Sequence, residues 1–218
     1  MSVNIDWLVP QTCVYDSTVA DKVRKRGGEM WWYVSLQPNY PYANFLVENP
    51  LIECRNLWWQ SFQKGVDGVL YWGLSVWIRE HNNTPIPTSA GPRIDWSLTT
   101  GVGYANLNGD GVLLYPGTDG PIGSIRLESI CDGLEDIELL KQFQDVFGRQ
   151  ATATITNRVS KSLTDYSRNP EDLFSVRRRL LKALAKSAAE NPGPIVSGTA
   201  PMSCCSAVVA DFASNCPK

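Results

Sequence analysis

The sequence predicts an α/β fold, namely half of a parallel (β/α)₈ TIM-type barrel with extra C-terminal helices. Short apolar runs alternate with segments of helical periodicity, which is the pattern of a parallel sheet with crossover helices. Four such runs occur, whereas a complete barrel has eight strands in roughly 250 residues. The chain has 218 residues, of which 43% are hydrophobic. It can therefore bury one substantial core, as one domain or as part of a larger one.

The first three elements predict a β–α–β unit. An apolar run at Val3–Val9 is closed by Pro10 and suits a buried parallel strand. A helix is predicted over Ser17–Arg26, because Ser17 is a favourable N-cap residue, basic residues gather in the last turn and two glycines follow. Aromatic and β-branched residues then fill Met30–Leu36, as strand propensity requires.

A second helix and two further strands are predicted next. Apolar residues recur near the helical period over residues 51–62, and Gly65 stops the pattern. Val69–Trp72 is the predicted third strand and Gly111–Pro116 the fourth. Between them, Gly73–Gly111 is rich in Pro, Gly, Asn and Thr without periodicity. A loop of that length inside a compact chain is usually functional.

Three helices are predicted to close the domain. They span Ile125–Phe147, about 152–164 and Pro170–Glu190, the last with proline at the first turn, where it is tolerated. After residue 190, Pro, Gly, Ser and Ala dominate, which predicts a disordered tail over 191–218. Residues 1–190 are therefore predicted to form one partial barrel.

The charge balance excludes several classes of partner. A formal net charge of -2 and a pI near 5.5 provide no dense basic field for nucleic acid or anionic membranes. No window approaches the roughly 20 apolar residues of a membrane-spanning helix, and the first residues lack the features of a signal peptide. As written, the sequence predicts a soluble protein that is not exported. Whether Met1 is the true start, and whether a full-length form is secreted, stays open.

Cysteine and histidine usage predicts neither a metal site nor a cofactor. Six cysteines occur without a CxxC spacing. Cys13, Cys54 and Cys131 are interpreted as small buried hydrophobic residues, and disulfide formation is left open for Cys204, Cys205 and Cys216. Because His81 is the single histidine, no multi-histidine metal site can form within this chain.

Aromatic and polar residues follow the predicted strands, at the end where parallel barrels bind their ligands. The chain contains eight Trp and eight Tyr, and such rings present flat apolar faces to the C–H side of a sugar. For Trp31 and Tyr33 the sequence leaves core packing and ligand contact equally open. For Tyr71 and Trp72, before the long loop, a site role is favoured. The combination fits a glycan better than a phosphate.

Carboxylates give a weaker signal. Glycoside hydrolysis usually needs two carboxyl groups, or one carboxylic acid together with a substrate group that attacks in place of the second. The candidates near strand ends are Asp16, Asp110, Glu128 and Asp132. Asp110 lies in an Asn-Gly-Asp-Gly sequence typical of a tight turn, so a structural role is favoured there. No Asp is directly followed by Glu anywhere in the chain.

Several blocks in a fixed order resemble the C-terminal half of the catalytic barrel of glycoside hydrolase family 123. The resemblance runs from about residue 3 to about 190. Its blocks are Trp31–Val34, Asn44–Phe45, Glu53–Arg55, Val66–Trp72, Gly109–Gly117 and Gly120–Asp136.

The resemblance implies retaining hydrolysis of terminal β-linked N-acetylgalactosamine, with the substrate's acetamido oxygen as the nucleophile. In the family an Asp orients the acetamide and an adjacent Glu protonates the leaving oxygen. Both lie on a barrel strand upstream of the part matched here, so no catalytic residue is assigned in this chain. The residues that the resemblance assigns to the sugar-binding wall are Trp31, Tyr33, Asn44, Tyr71, Trp72 and Trp77.

Two hypotheses of different classes follow. The first is an incomplete or truncated glycosidase, inactive alone, whose partners are an amino-sugar glycan and a missing N-terminal barrel half. The second is a non-catalytic carbohydrate-binding module that completes its barrel with another chain or with a second copy.

Overall fold

The computed structural model describes residues 6–76, 78–79, 84–85 and 108–190. A parallel sheet of three strands lies at its centre, in the order β1 (Trp7–Leu8), β2 (Glu29–Val34) and β3 (Gly68–Tyr71). The register pairs Leu8 with Met30 and Tyr33 with Leu70. The predicted α/β class is confirmed, and the described strands close no barrel.

Helices cover one face of this sheet. α1 (Ser17–Lys25) connects β1 to β2, and α2 (Glu53–Lys64) connects β2 to β3. Alternate residues of β2 point toward the helices, so Met30, Trp32 and Val34 are fully buried. The Trp32 indole donates a hydrogen bond of 3.1 Å to the Ser61 hydroxyl of α2. Trp32, which points from β2 toward the helices, is therefore part of the core.

The ends of α1 and α2 follow from local chemistry. The N-cap of α1 is Asp16 rather than the predicted Ser17: its carboxylate accepts from the backbone N–H groups of Thr18 and Val19 at 2.7 and 3.2 Å. Asp has the stronger acceptor at a helix start because its charge also complements the helix dipole. α2 ends as predicted at Gly65, which adopts the left-handed conformation with φ 59°.

The predicted fourth parallel strand is wrong. Only β6 (Leu114–Tyr115) forms in that segment, and it pairs antiparallel with β7 (Ile122–Gly123). The physical reason lies in the preceding turn, where Gly109 and Gly111 have φ of 83° and 70°. After this turn the backbone amides of Leu113 and Leu114 each donate a hydrogen bond of 2.8 Å to the Leu74 carbonyl. The segment therefore does not pair with the edge of β3. A second antiparallel pair joins β4 (Ile78–Arg79) to β5 (Thr84–Pro85).

The C-terminal helices form a layer behind α2. α3 (Ile125–Thr156) is interrupted at Gly148, whose φ of 83° and ψ of 163° are accessible essentially to glycine alone. The helix predicted to reach residue 164 ends at Thr156, because residues 157–169 form turns with their own hydrogen bonds. α4 (Pro170–Glu190) has the predicted bounds.

One buried carboxylate joins three of these helices. Asp136 of α3 is fully buried and accepts from Arg55 Nε at 2.6 Å and from Trp59 Nε1 at 2.8 Å, both on α2. It also accepts from Arg177 Nε of α4 at 2.9 Å. Asp132, on the same face of α3, accepts from Arg55 at 2.9 Å. This Asp136 network fixes the helical layer.

Cys54 and Cys131 are buried as predicted, whereas Cys13 is only partly buried. Cys54 is buried and free, and burial raises the pKa of its thiol to about 12. Cys131 is also buried, but it is disulfide-bonded, which the sequence analysis did not anticipate.

Candidate functional site

The face of the sheet turned away from the helices carries side chains in layers. Trp7 and Trp31 form the layer near the amino-terminal ends of the strands, stacked with centroids 5.3 Å apart and an interplanar angle of 11°. The Trp31 ring also covers Gly68, where an added Cβ would lie 2.6 Å from it. Tyr33 and Leu70 are register partners in the next layer, about 7 Å further along. We call this surface the inner face.

A cleft of about 480 Å³ opens at the carboxyl ends of the three parallel strands. Its walls combine aromatic and aliphatic side chains with one carboxylate. It is lined by Val9, Tyr33, Ser35, Leu36, Leu70, Trp72 and Asp110. The volume is that of a small-molecule site, and the position is the one at which parallel α/β barrels bind ligands.

Trp72 and Asp110 give this cleft its chemical character. The Trp72 side chain is 48% exposed, so its ring is available to a ligand. Asp110 is only 2% exposed and accepts a hydrogen bond from the Tyr71 hydroxyl at 3.1 Å. Burial raises the pKa of Asp110 above its ordinary value, and the hydrogen bond from Tyr71 opposes part of the rise. The cleft thus joins a flat apolar ring to a buried acid.

The structure brings together only some of the residues predicted for the site. Tyr33 and Trp72 line the cleft. Trp31 lies on the same inner face, one layer toward the opposite strand ends. Trp77 lies outside the described residues.

Asn44 and Tyr71 lie beside the cleft and are occupied by the protein itself. Asn44 is fully buried, donates to the carbonyls of Ser35 and Pro38 at 2.9 and 3.0 Å, and accepts from the Phe45 amide. The Tyr71 hydroxyl donates to Asp110 and accepts from the Gly111 amide at 2.8 Å. Burial raises the pKa of Tyr71 strongly, so this hydroxyl remains a hydrogen-bond donor. Both side chains hold the loops that shape the cleft.

Among the four candidate acids, Asp110 alone lines the cleft. Asp16 caps α1, and the backbone N–H groups of Val19 and Thr18 lower the pKa of its carboxyl. Glu128 and Asp132 lie on α3. The sequence analysis missed Val9 and Leu70 as lining residues. Alternation along the strand could have identified them. Val69 and Tyr71 face the helices, so Leu70 between them must face the opposite side of the sheet.

A larger cavity of about 1620 Å³ lies elsewhere, between the start of β3 and α3. Its walls include Trp58, Gly68 and Leu134 together with many charged side chains. This cavity flanks the side of β3, whereas parallel α/β barrels bind their ligands at the carboxyl ends of the strands.

Within the described residues, no group of three or more His, Cys, Asp or Glu side chains is arranged to hold a metal ion. No helix in that part of the chain is both long enough and apolar enough to span a bilayer.

A parallel α/β layer with an aromatic and acidic cleft at its strand ends has the arrangement in which parallel α/β barrels bind their ligands. The family model described as "Glycoside hydrolase 123, catalytic domain" matches residues 3–143. The chain therefore belongs to glycoside hydrolase family 123, as the sequence blocks indicated.

Among solved structures, the chain is similar to a family 123 glycoside hydrolase from Clostridium perfringens, studied for glycolipid glycan hydrolysis. The TM-score is 0.53 at 17% sequence identity, and the likeness covers 85% of this chain. It covers 33% of the Clostridium chain, so this chain spans about a third of that relative's length. At this identity the likeness concerns the fold. No curated protein matches the chain.

Proposed function

We propose that this chain forms the sugar-contacting wall of a family 123 catalytic domain whose complete form hydrolyses β-linked N-acetylgalactosamine. In this proposal the substrate's acetamido oxygen is the nucleophile, and an Asp-Glu pair from a part of the barrel not represented in this chain orients the acetamide and protonates the leaving oxygen. The chain alone is then expected to bind sugar without turnover.

The cleft at the strand ends is the observation that carries the proposal. Trp72 and Tyr33 offer ring surface for the C–H face of a pyranose, and Ser35 offers a hydroxyl for its polar edge. Asn44 and Tyr71 contribute by holding the loops on either side. Trp31 extends the inner face below the cleft, where a complete barrel would have its packed interior.

Binding is tested by titrating methyl β-N-acetylgalactosaminide into the 218-residue chain and following it by NMR. Trp72→Ala should weaken binding about tenfold, equal to roughly 1.4 kcal/mol of lost ring contact. The matched control is Trp7→Ala, because Trp7 lies on the same inner face, is 60% exposed and is remote from the cleft. Equal effects of the two substitutions, or no binding by the wild-type chain, would contradict the proposal.

Turnover is tested with a chromogenic β-N-acetylgalactosaminide. The 218-residue chain should release no product, whereas a chain extended through the upstream genomic reading frame should release it. An upstream frame that encodes neither further barrel strands nor an Asp-Glu pair would remove the basis for a truncated hydrolase, as would turnover by the 218-residue chain.

A carbohydrate-binding module that pairs with a second chain is the other candidate. It is favoured by the exposure of apolar side chains on the inner face, where Trp7 is 60% and Leu70 is 42% exposed. This alternative predicts sugar affinity only in an associated state and no turnover with any upstream extension. Size measurement with and without the sugar separates it from the hydrolase.

A further inference from the structure

Tyr40 is an exposed aromatic residue in the loop that connects β2 to α2. Its side chain is 75% exposed, the largest value among the exposed large hydrophobic side chains of the described residues. Such exposure gives the ring little stabilisation from burial. The loop and the ring are nevertheless both held in place by specific contacts.

The Tyr40 loop starts in the wall of the cleft. Ser35 and Leu36, at the beginning of the loop, line the cleft. Tyr40 follows Leu36 by four residues, which limits the distance between their Cα atoms to about 14 Å. Loops that lead from a strand to the next helix form the ligand-binding end of parallel α/β barrels. Tyr40 therefore lies at the same end of the molecule as the cleft.

Hydrogen bonds within the loop fix the backbone at Tyr40. The buried side chain of Asn44 closes the loop by donating to two of its carbonyls, at 2.9 and 3.0 Å. The Tyr42 amide donates to the Asn39 carbonyl at 3.2 Å, which places Tyr40 inside a tight turn. The position of the ring is thus set from its own segment.

Arg168 supports one face of the Tyr40 ring. Its guanidinium carbon lies 4.2 Å from the ring centroid, in the range of a cation–π contact. The same guanidinium donates from Nη2 to the Tyr166 hydroxyl at 3.3 Å. Because the guanidinium covers one face and the side chain is 75% exposed, the opposite face of the Tyr40 ring is open.

The guanidinium of Arg168 is held in turn by α2. Glu53, in the first turn of α2 and 1% exposed, accepts from Arg168 Nε at 2.8 Å. The second oxygen of Glu53 accepts from Asn49 Nδ2 at 2.7 Å. One turn along α2, Asn56 donates to the Ser167 carbonyl at 2.7 Å. Since α2 fixes both Arg168 and the backbone beside it, the guanidinium is a rigid support for Tyr40.

We propose that Tyr40 is a second carbohydrate-binding platform, which stacks on the leaving-side sugar of a glycan whose terminal amino sugar occupies the cleft. This inference rests on the proposed function. Because that function removes a terminal sugar, any further sugar of the substrate lies on the leaving side of the cleaved bond. An open tyrosine face suits the C–H side of a pyranose, and a ring already held in place loses little freedom on binding. The chain then recognises a disaccharide rather than the terminal sugar alone.

The experiment compares the affinity of the 218-residue chain for a monosaccharide and for disaccharides. The monosaccharide is methyl β-N-acetylgalactosaminide, and the disaccharides have N-acetylgalactosamine β-linked to O3 or O4 of methyl β-galactoside. The wild type should bind at least one disaccharide about fivefold more tightly than the monosaccharide. Tyr40→Ala should abolish this difference and leave the affinity for the monosaccharide unchanged. Tyr40→Phe keeps the ring and should keep the difference.

Phe174 offers a matched control. Its ring also packs against an arginine, with Arg55 Cζ 5.5 Å from the centroid, and it is 38% exposed, but it lies on α4 in the helical layer. Phe174→Ala should leave the affinity ratio of the two ligands unchanged.

The wild type provides a direct measurement of the contact. The ring resonances of Tyr40, assigned by Tyr40→Phe, should shift when the disaccharide is added and stay in place with the monosaccharide. A structural role in covering Arg168 would produce no such ligand-dependent difference.

The outcomes separate the two proposals. Monosaccharide binding without tighter binding of either disaccharide would overturn the platform role and leave the proposed function in place. Equal weakening of both ligands by Tyr40→Ala, or loss of the difference in Tyr40→Phe, would do the same. Absence of monosaccharide binding would remove the proposed function together with the platform. If Tyr40→Ala does not fold, the wild-type resonances decide: no shift of Tyr40 with either disaccharide overturns the inference.

Discussion

At the scale of single residues, strand alternation places neighbouring aromatic side chains of β2 on opposite faces of the sheet. Trp32 is buried against α2, whereas Trp31 and Tyr33 face inward, and only Tyr33 reaches the cleft. Strand alternation places Trp32 opposite the other two, because period two is a backbone property. It could not separate Trp31 from Tyr33, since their layer depends on the register with β3.

Asp110 shows why the candidate site was only partly predictable. Glycine and asparagine around it predicted the turn correctly, and Gly109 and Gly111 have positive φ. Its place beside Trp72 results from contacts across about forty residues of sequence, as the hydrogen bond from the Tyr71 hydroxyl illustrates. Local propensity contains no information about such a contact.

The raised pKa of Asp110 predicts a pH dependence of stability. A carboxyl whose folded pKa is raised contributes stability that is fully present below the ordinary value of 3.8 and is lost as the pH rises through the folded pKa. The free energy of unfolding of the wild type, minus that of Asp110→Asn, should therefore fall with rising pH above 3.8 and then level off. Urea unfolding across this range measures it, with Asp119→Asn as the charge-matched control. A difference that grows with pH would contradict the assignment.

At the scale of elements, sequence signals located most helices correctly and the last strand incorrectly. Gly65 and Pro170 marked a helix end and a helix start because their effects are local. The apolar run at 111–116 has strand composition, but its partners were decided by the preceding turn and by Leu74. Strand pairing is a long-range property, whereas helix termination is a short-range one.

The Asp136 network predicts how firmly the helices are joined. Asp136→Ala would leave Arg55, whose side chain is 7% exposed, without its main partner and should cost about 3–5 kcal/mol of unfolding free energy. Asp132→Ala removes a carboxylate that is 54% exposed and should cost less than about 1 kcal/mol. Urea denaturation of both variants measures the difference. Similar losses in the two would mean that the network does not depend on Asp136.

At the scale of the whole molecule, the sheet is covered on its helical face and uncovered on its inner face. Parallel sheets are normally covered on both faces. In the described part of the chain, β1 and β3 each pair with a strand on one side only. Because Trp7 and Leu70 are exposed there, the inner face is an apolar surface that a remaining barrel half or another copy would cover.

This surface predicts self-association of the isolated chain. At high concentration, sedimentation equilibrium should give an average mass above the 24.2 kDa of one chain. Trp7→Lys should return the mass to that of a monomer, because a charge on the inner face opposes its burial. Phe147→Lys changes an exposed residue of α3, 40% accessible on the helical layer, and should leave association intact. A monomer at every concentration would contradict the prediction.

The four hydrogen bonds that Asp136 accepts have a consequence for how this fold can diverge. Replacement of Arg55, Asp136 or Arg177 by an uncharged residue leaves the opposite charge unbalanced, so such a change requires compensating exchanges at the other positions. Among homologues these positions should covary as one block. On the inner face, outside the cleft, residues such as Trp7 are exposed, and their composition should instead follow the surface that covers them.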